Sequence, residues 1–149
     1  MKVIIQRVSS ASVCIDRKSV GFISKGMLIL IGIAHDDNDE DARYLIQKII
    51  QLRIFSDENG KMNHSILDIQ GEILVVSQFT LFAETKKGNR PSFIKSADPK
   101  LAKEKYHEWL ELLKNAFPFK IATGVFGADM EVSLVNDGPV TIIIDSKQR

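Results

Sequence analysis

A chain of 149 residues and 16.7 kDa is about one domain at ~150 residues per domain, and at that size it buries on the order of 70% of its extended-chain surface. Its 44% apolar and 26% charged residues, with a net charge of +1, exclude a disordered chain and one made basic throughout for gripping nucleic acid. One cysteine, Cys14, excludes an internal disulfide and a cysteine-rich zinc site, and the longest apolar run, Met27–Ala34, is far below the ~20 residues that span a bilayer. The expectation is a soluble, reduced, cytoplasmic domain.

Val3–Val8 and Ala11–Ile15 read as strands, separated from the short strand Val20–Ile23 by the polar turn Asp16-Arg17-Lys18-Ser19. Lys25-Gly26 is a break. Met27–Ala34 lacks alternation, as suits a strand covered on both faces. A helix follows, with Asp37 and Glu40 at capping-box spacing and Ala42, Leu45, Ile46 and Ile49 on one face. Leu52–Phe55 reads as a strand, Asp57–Gly60 as a turn and Ile73–Val76 as a strong strand. A second helix has Asp98 as N-cap and Pro99 at its first position; Ala102, Tyr106, Trp109, Leu113 and Phe117 form its stripe, and Pro118 stops it. Phe119–Val125, Glu131–Val135 and Val140–Ile144 read as three more strands. The fold class is α/β: a layered mixed sheet in one domain spanning 1–149, with two helices on one face and a second sheet or a partner on the other.

Few residues carry a chemical signal. His35, His64 and His107 lie in three separate segments without a catalytic neighbour and read as structural. No metal-ligating spacing and no glycine-rich phosphate loop occurs, so neither a metal nor a nucleotide cofactor is expected. Ser77-Gln78-Phe79-Thr80 stands out because an apolar strand runs straight into polar side chains, which must be bonded or used. In a regular strand Ser77 and Thr80 would face opposite sides, so a shared pocket requires a bend at Gln78-Phe79. Such a bend turns N–H groups outward, as an oxyanion hole needs.

Asn136-Asp137-Gly138-Pro139 reads locally as a hairpin turn, or else as a rigid backbone presenting carbonyls. Lys86, Lys87, Arg90 and Lys95 fall in a stretch free of acids, either a solvated loop or a phosphate-tracking patch. Arg7 reads either as an edge charge or as a buried guanidinium donating to carbonyls.

Three stretches in this order resemble the D-aminoacyl-tRNA deacylases: Ser77-Gln78-Phe79-Thr80-Leu81, Phe126-Gly127-Ala128-Asp129-Met130 and Asn136-Asp137-Gly138-Pro139-Val140-Thr141. Val3-Ile4-Ile5-Gln6-Arg7-Val8 and Gly88-Asn89-Arg90-Pro91-Ser92-Phe93 are similar too. The resemblance implies a barrel-like fold and a cofactor-free homodimer with sites at the subunit interface. It implies hydrolysis of the ester in D-aminoacyl-tRNA, with glycyl-tRNA as a second substrate, and no role for DNA or membrane. It casts Ser77, Gln78, Phe79 and Thr80 as the catalytic floor. Gly138-Pro139, with a cis bond, would reach into the other subunit's pocket, supported by Arg7, while Met130 supports the pocket. Two rivals stand beside it: a general small-acyl esterase, and a tRNA-binding module without turnover.

Overall fold

The computed structural model describes residues 1–149. The β-branched first third forms β1 (Lys2–Ile15), β2 (Lys18–Ile23) and β3 (Gly26–Gly32); α1 (Asp39–Gln51), β4 (Phe55–Ser56) and β5 (Met62–His64) follow. Then come β6 (Glu72–Ser77), a 3-10 turn at Phe79–Phe82, α2 (Pro99–Ala116), β7 (Ile121–Thr123) and β8 (Glu131–Asp145).

β1 organises the sheet. One edge of it pairs antiparallel with β8 along nearly its whole length, while its other edge takes β3 in the first half and β2 in the second. β6 joins β3 in parallel and β7 joins β6 in parallel, each through a crossover that carries a helix. β2 folds back onto β6 and β7, which curls the sheet into a nearly closed barrel.

Two cores result. Both helices pack on one face, where Leu45, Ile49 and Trp109 meet Val3, Ile5, Ile29 and Ile73 with no exposure above 1%. The concave face holds a smaller cluster around Val8, Val13, Leu28 and Leu74. Each such side chain contributes roughly 1.5–3 kcal/mol by leaving water. Met27–Ile31 is covered on both faces as its unbroken apolar run implies.

Several sequence expectations change. Val3–Val8 and Ala11–Ile15 are one strand, because register shifts around Arg7–Ser9 swap its faces without breaking it. Val3 and Ile5 point to the helices, Ala11 and Val13 into the barrel. The concave side is filled by the sheet's own curl, with no second sheet of comparable size across it. Leu52–Phe55 contributes only Phe55 to β4, and Phe119–Val125 only three residues to β7.

The N-cap of α1 is Asn38, with Asp41 closing the capping box. Asp37 is not free to cap: it is buried, accepting from the Met1 ammonium and, at 2.6 Å, from Ala34 N–H. The cap of α2 is as expected, Asp98 accepting from the N–H groups of Lys100 and Leu101 with Pro99 behind it.

The largest change concerns Asn136–Pro139. This segment is no hairpin. β8 keeps one direction along β1, with Thr141 opposite Gln6 and Asn136 opposite Val8, so the intervening residues loop out of a continuing strand.

Candidate active site

At Ser77 the strand β6 ends and the chain tightens into the 3-10 turn, which supplies the required bend. Gln78 N–H donates to Ile31 O at 2.7 Å, so the first polar residue past the strand stays anchored to β3. The opening N–H groups of a helix lack partners within it. Here those belong to Phe79 and Thr80, and no loop or side-chain acceptor takes them.

A cavity of about 760 Å³ opens beside this turn. Ser77, Gln78 and Phe79 form one wall. Phe93 and Ser96 come from the loop before α2, with the Phe93 ring edge-on to Phe79 at 5.0 Å between centroids. Pro99 and Ala102 of α2 form the back, and Phe126 and Met130 close the side next to β8. Most of the lining is apolar, so a charge developing in it meets less screening than in water.

Thr80 does not line this cavity. It is exposed on the rim, where its Oγ1 accepts from the Gln78 side-chain amide. Within the cavity the ionisable side chains are Asp98, engaged in capping α2, and exposed Asp129. A hydroxyl needs a base within hydrogen-bond reach to act as a nucleophile. Neither Ser77 nor Thr80 has one as a hydrogen-bond partner.

Met130 sits in the wall because Gly124 lets it. A Cβ at Gly124 would lie 2.5 Å from the Met130 sulfur, so only the bare glycine leaves that side chain its place. Sequence reading missed Gly124, Phe93 and Ser96. Phe93 lay inside a stretch already noted, but nothing local distinguishes a ring that lines a cavity from one that fills a core.

Arg7, Gly138 and Pro139 form a second group elsewhere. Arg7 is 8% exposed; its Nε donates to Asp137 O at 3.0 Å and its Nη1 to Ile54 O at 2.6 Å. It is the buried alternative, with Asp137 Oδ2 3.3 Å from Nε. Asn136 Oδ1 accepts from Val140 N–H at 3.1 Å and braces the other end of the excursion. The Gly138–Pro139 peptide is cis, and Gly138 has φ of +129°, a region that disfavours any side chain. A Cβ there would also meet Arg7 Nη2 at 2.9 Å.

Gly138 and Pro139 are exposed and do not line the cavity of their own chain. Ser77 is level with Ile31 and Val3, four residues along β1 from Arg7 and three strands away from β8. With ~3.3 Å per residue and ~4.8 Å per strand, the two groups lie on the order of 20 Å apart along the sheet. Among the three histidines, His35 and His107 are exposed and His64 lies 3.9 Å from Glu58; none reaches the cavity.

A family model described as D-Tyr-tRNA(Tyr) deacylase matches residues 4–145. A D-aminoacyl-tRNA deacylase of Thermosipho africanus is 56% identical over 148 residues, 99% of each chain. One from Flavobacterium psychrophilum is 60% identical over 149 residues, covering 100% of this chain and 99% of the relative. Among solved structures, a c-Myc DNA Unwinding Element Binding Protein superposes with a TM-score of 0.93 at 40% identity, over 97% of this chain and 98% of its own. A protein described as a probable eukaryotic D-amino acid tRNA deacylase superposes at 0.83 with 16% identity over 96% and 97%, a likeness of fold. With sequence relatives alike from end to end and a family model over nearly all of it, the chain belongs to the D-aminoacyl-tRNA deacylases and is a hydrolase of D-aminoacyl-tRNA.

Proposed function

We propose that this deacylase cleaves the ester by direct attack of water in the Ser77–Phe79 cavity and judges handedness with the Gly138-Pro139 main chain of a second copy. The observation that carries this reading is the pairing of a cavity beside a turn whose opening N–H groups have no loop or side-chain acceptor with a stiff, exposed main-chain loop too far away to serve that cavity itself. A symmetric dimer brings one copy's loop to the other's cavity twice over.

In this mechanism the oxygen of water adds to the ester carbonyl carbon, and the N–H groups of Phe79 and Thr80 take the developing oxyanion. Removing one such donor in comparable sites costs ~10²–10³ in rate. The ribose 2′-hydroxyl beside the ester relays the proton from water to the departing 3′-oxygen, giving free tRNA and amino acid. No cofactor enters the chemistry.

The carbonyls of Gly138 and Pro139 accept from the substrate's α-ammonium and occupy the space an L side chain would need. Selection by exclusion rejects one hand while remaining indifferent to which D side chain arrives. Proline fixes φ, so the wall loses little entropy when substrate binds. Glycine passes such a wall, which makes glycyl-tRNA a second substrate. The cytoplasm is where these substrates are made and where the protein acts.

The test is release of amino acid from D-, L- and glycyl-tRNA by one preparation. D- and glycyl-tRNA are expected to be cleaved and L-tRNA spared, and Pro139→Ala should lose activity or discrimination. Equal cleavage of both hands would indicate a general esterase. Binding without release would indicate an RNA-binding module, and an unchanged D preference in Pro139→Ala would remove the gate.

A further inference from the structure

The 3-10 turn that floors the cavity has a second side. Leu81 and Phe82 there, together with Lys2, Lys86, Lys95 and the carboxylate-bearing Glu84, line a notch of about 250 Å³. Above it the loop is pinched shut: Glu84 and Ser92 exchange backbone hydrogen bonds of 2.8 and 2.9 Å, leaving Thr85–Pro91 as a closed tip. That tip carries Lys86, Lys87 and Arg90 and no acid.

These three cations differ from their neighbours. Lys2 is 3.7 Å from Asp145 and Lys95 is 3.4 Å from Glu84, whereas Lys86, Lys87 and Arg90 form no ion pair. All three are exposed. Three unpaired positive charges on one tip are a marked concentration in a chain of net charge +1. The Phe79 ring in the cavity wall is 55% exposed and edge-on to Phe93, which belongs to the same loop two residues past the tip. Cations beside an exposed aromatic face are how proteins hold single-stranded nucleic acid without reading its sequence.

We propose that this tip and the notch beneath it bind the phosphates of the unpaired 3′ end of the tRNA, just before the nucleotide whose ester is cleaved. The inference rests on the ester lying over Phe79 and Thr80. A 3-10 turn rises ~2 Å per residue, so the far side of the turn is ~6 Å from those N–H groups. A strand rising ~3.4 Å per nucleotide crosses that in one or two nucleotides. The competing route is the start of α2, where Lys100 and Lys103 are exposed and follow the cavity-lining residues Pro99 and Ala102 in sequence. It suits phosphate less well, because the Asp98 carboxylate already takes the N–H groups of Lys100 and Leu101, and Glu104 and Glu108 interleave the lysines.

The test compares full-length wild type, the triple variant K86A/K87A/R90A and the control K100A/K103A. The substrates are D-aminoacyl-tRNA and a D-aminoacyl ester of adenosine, which has the same bond and no phosphate. At ~0.7 per neutralised single-strand phosphate, the triple variant should flatten the log KM against log salt slope by about 2. KM for tRNA should therefore rise roughly hundredfold at 0.1 M salt and converge with wild type near 1 M, with kcat kept. The adenosine ester should be cleaved as by wild type, and the control should stay within a few-fold of wild type on both substrates. An unchanged slope in the triple variant, a loss extending equally to the adenosine ester, or a loss confined to the helix pair would each overturn the inference. Failure of wild type to cleave either substrate would instead defeat the placement of the ester on which it rests.

Discussion

Residue by residue, the cavity separates groups that line it from groups that only stand near it. Thr80 carries the most reactive-looking hydroxyl of the segment, yet its oxygen accepts from the Gln78 amide and no base is bonded to it. Thr80→Ala therefore keeps its main-chain N–H and should stay within about tenfold of wild-type turnover, against the larger losses seen when an oxyanion donor is removed. Rapid-quench analysis of wild type should find no acyl-enzyme; a trapped one, with a Thr80→Ala variant devoid of turnover, would restore the hydroxyl as nucleophile. Gly124 makes the opposite case, a residue without chemistry that decides geometry. Gly124→Ala forces the Met130 side chain out of the cavity wall and should lower kcat/KM roughly tenfold, as small misplacements of substrate do. Urea denaturation should find stability changed by only about 1–2 kcal/mol. An unaltered kcat/KM would show that Met130 is free to move without consequence. The bend after Ser77 was legible in sequence because polar groups interrupting an apolar run are costly unless bonded or used, whereas the place of Thr80 outside the cavity was not. Gly124 was not, since its role is the space it leaves for a residue six positions on.

Among the elements, α1 depends on the Asp41 carboxylate. It accepts from Asn38 N–H at 3.0 Å to close the capping box, from Lys147 at 2.7 Å and from Arg149 at 3.3 Å, and so ties the last residues of the chain to the helix. Burial pushes the Asp41 pKa up, but the hydrogen bonds from Lys147 and Asn38 outweigh it and hold the carboxyl well below the usual range. Lys147 is shifted upward by the same bond to Asp41. A carboxylate depressed in the folded state stabilises it above the unfolded pKa of ~3.9, and that contribution fades as pH falls towards the folded value. Asp41→Asn should cost about 2–3 kcal/mol at pH 7, less than a wholly buried pair because Lys147 is partly in water. Urea midpoints of variant and wild type should converge between pH 4 and pH 2; a gap independent of pH would mean the charge is not what matters. Sequence patterning found both helices and the buried β3, where periodicity and composition are local. It placed the first cap one residue early, because the competing use of Asp37 comes from Met1, far away in sequence but brought beside it by the pairing of Lys2 with Gly32. It divided β8 at Gly138-Pro139 for a related reason: turn chemistry is visible locally, whereas continuation along β1 is a pairing across more than a hundred residues.

For the molecule as a whole, the curled sheet holds its two marked groups apart. β1 carries Arg7, its neighbour β8 carries the looped-out Asp137–Pro139 at the same level, and the strand order places the Ser77–Phe79 turn three strands from β8 and four residues along β1 from Arg7. No local pattern in the sequence could reveal that distance; the expectation that the two groups meet only across two copies came from the family resemblance, not from the spacing of the motifs. The proposed two-copy site turns this separation into a direct test. Phe79→Pro removes one floor N–H at a position where proline is tolerated, and Gly138→Val disrupts the gate, where φ is +129° and Arg7 is in the way. Each variant alone should be inactive on D-aminoacyl-tRNA. Exchanging subunits between equal amounts of the two should restore about a quarter of wild-type activity, since half of the dimers are mixed and each has one intact cavity facing one intact gate. No recovery, with mixed dimers verified by native mass spectrometry, would mean that each chain completes its own site.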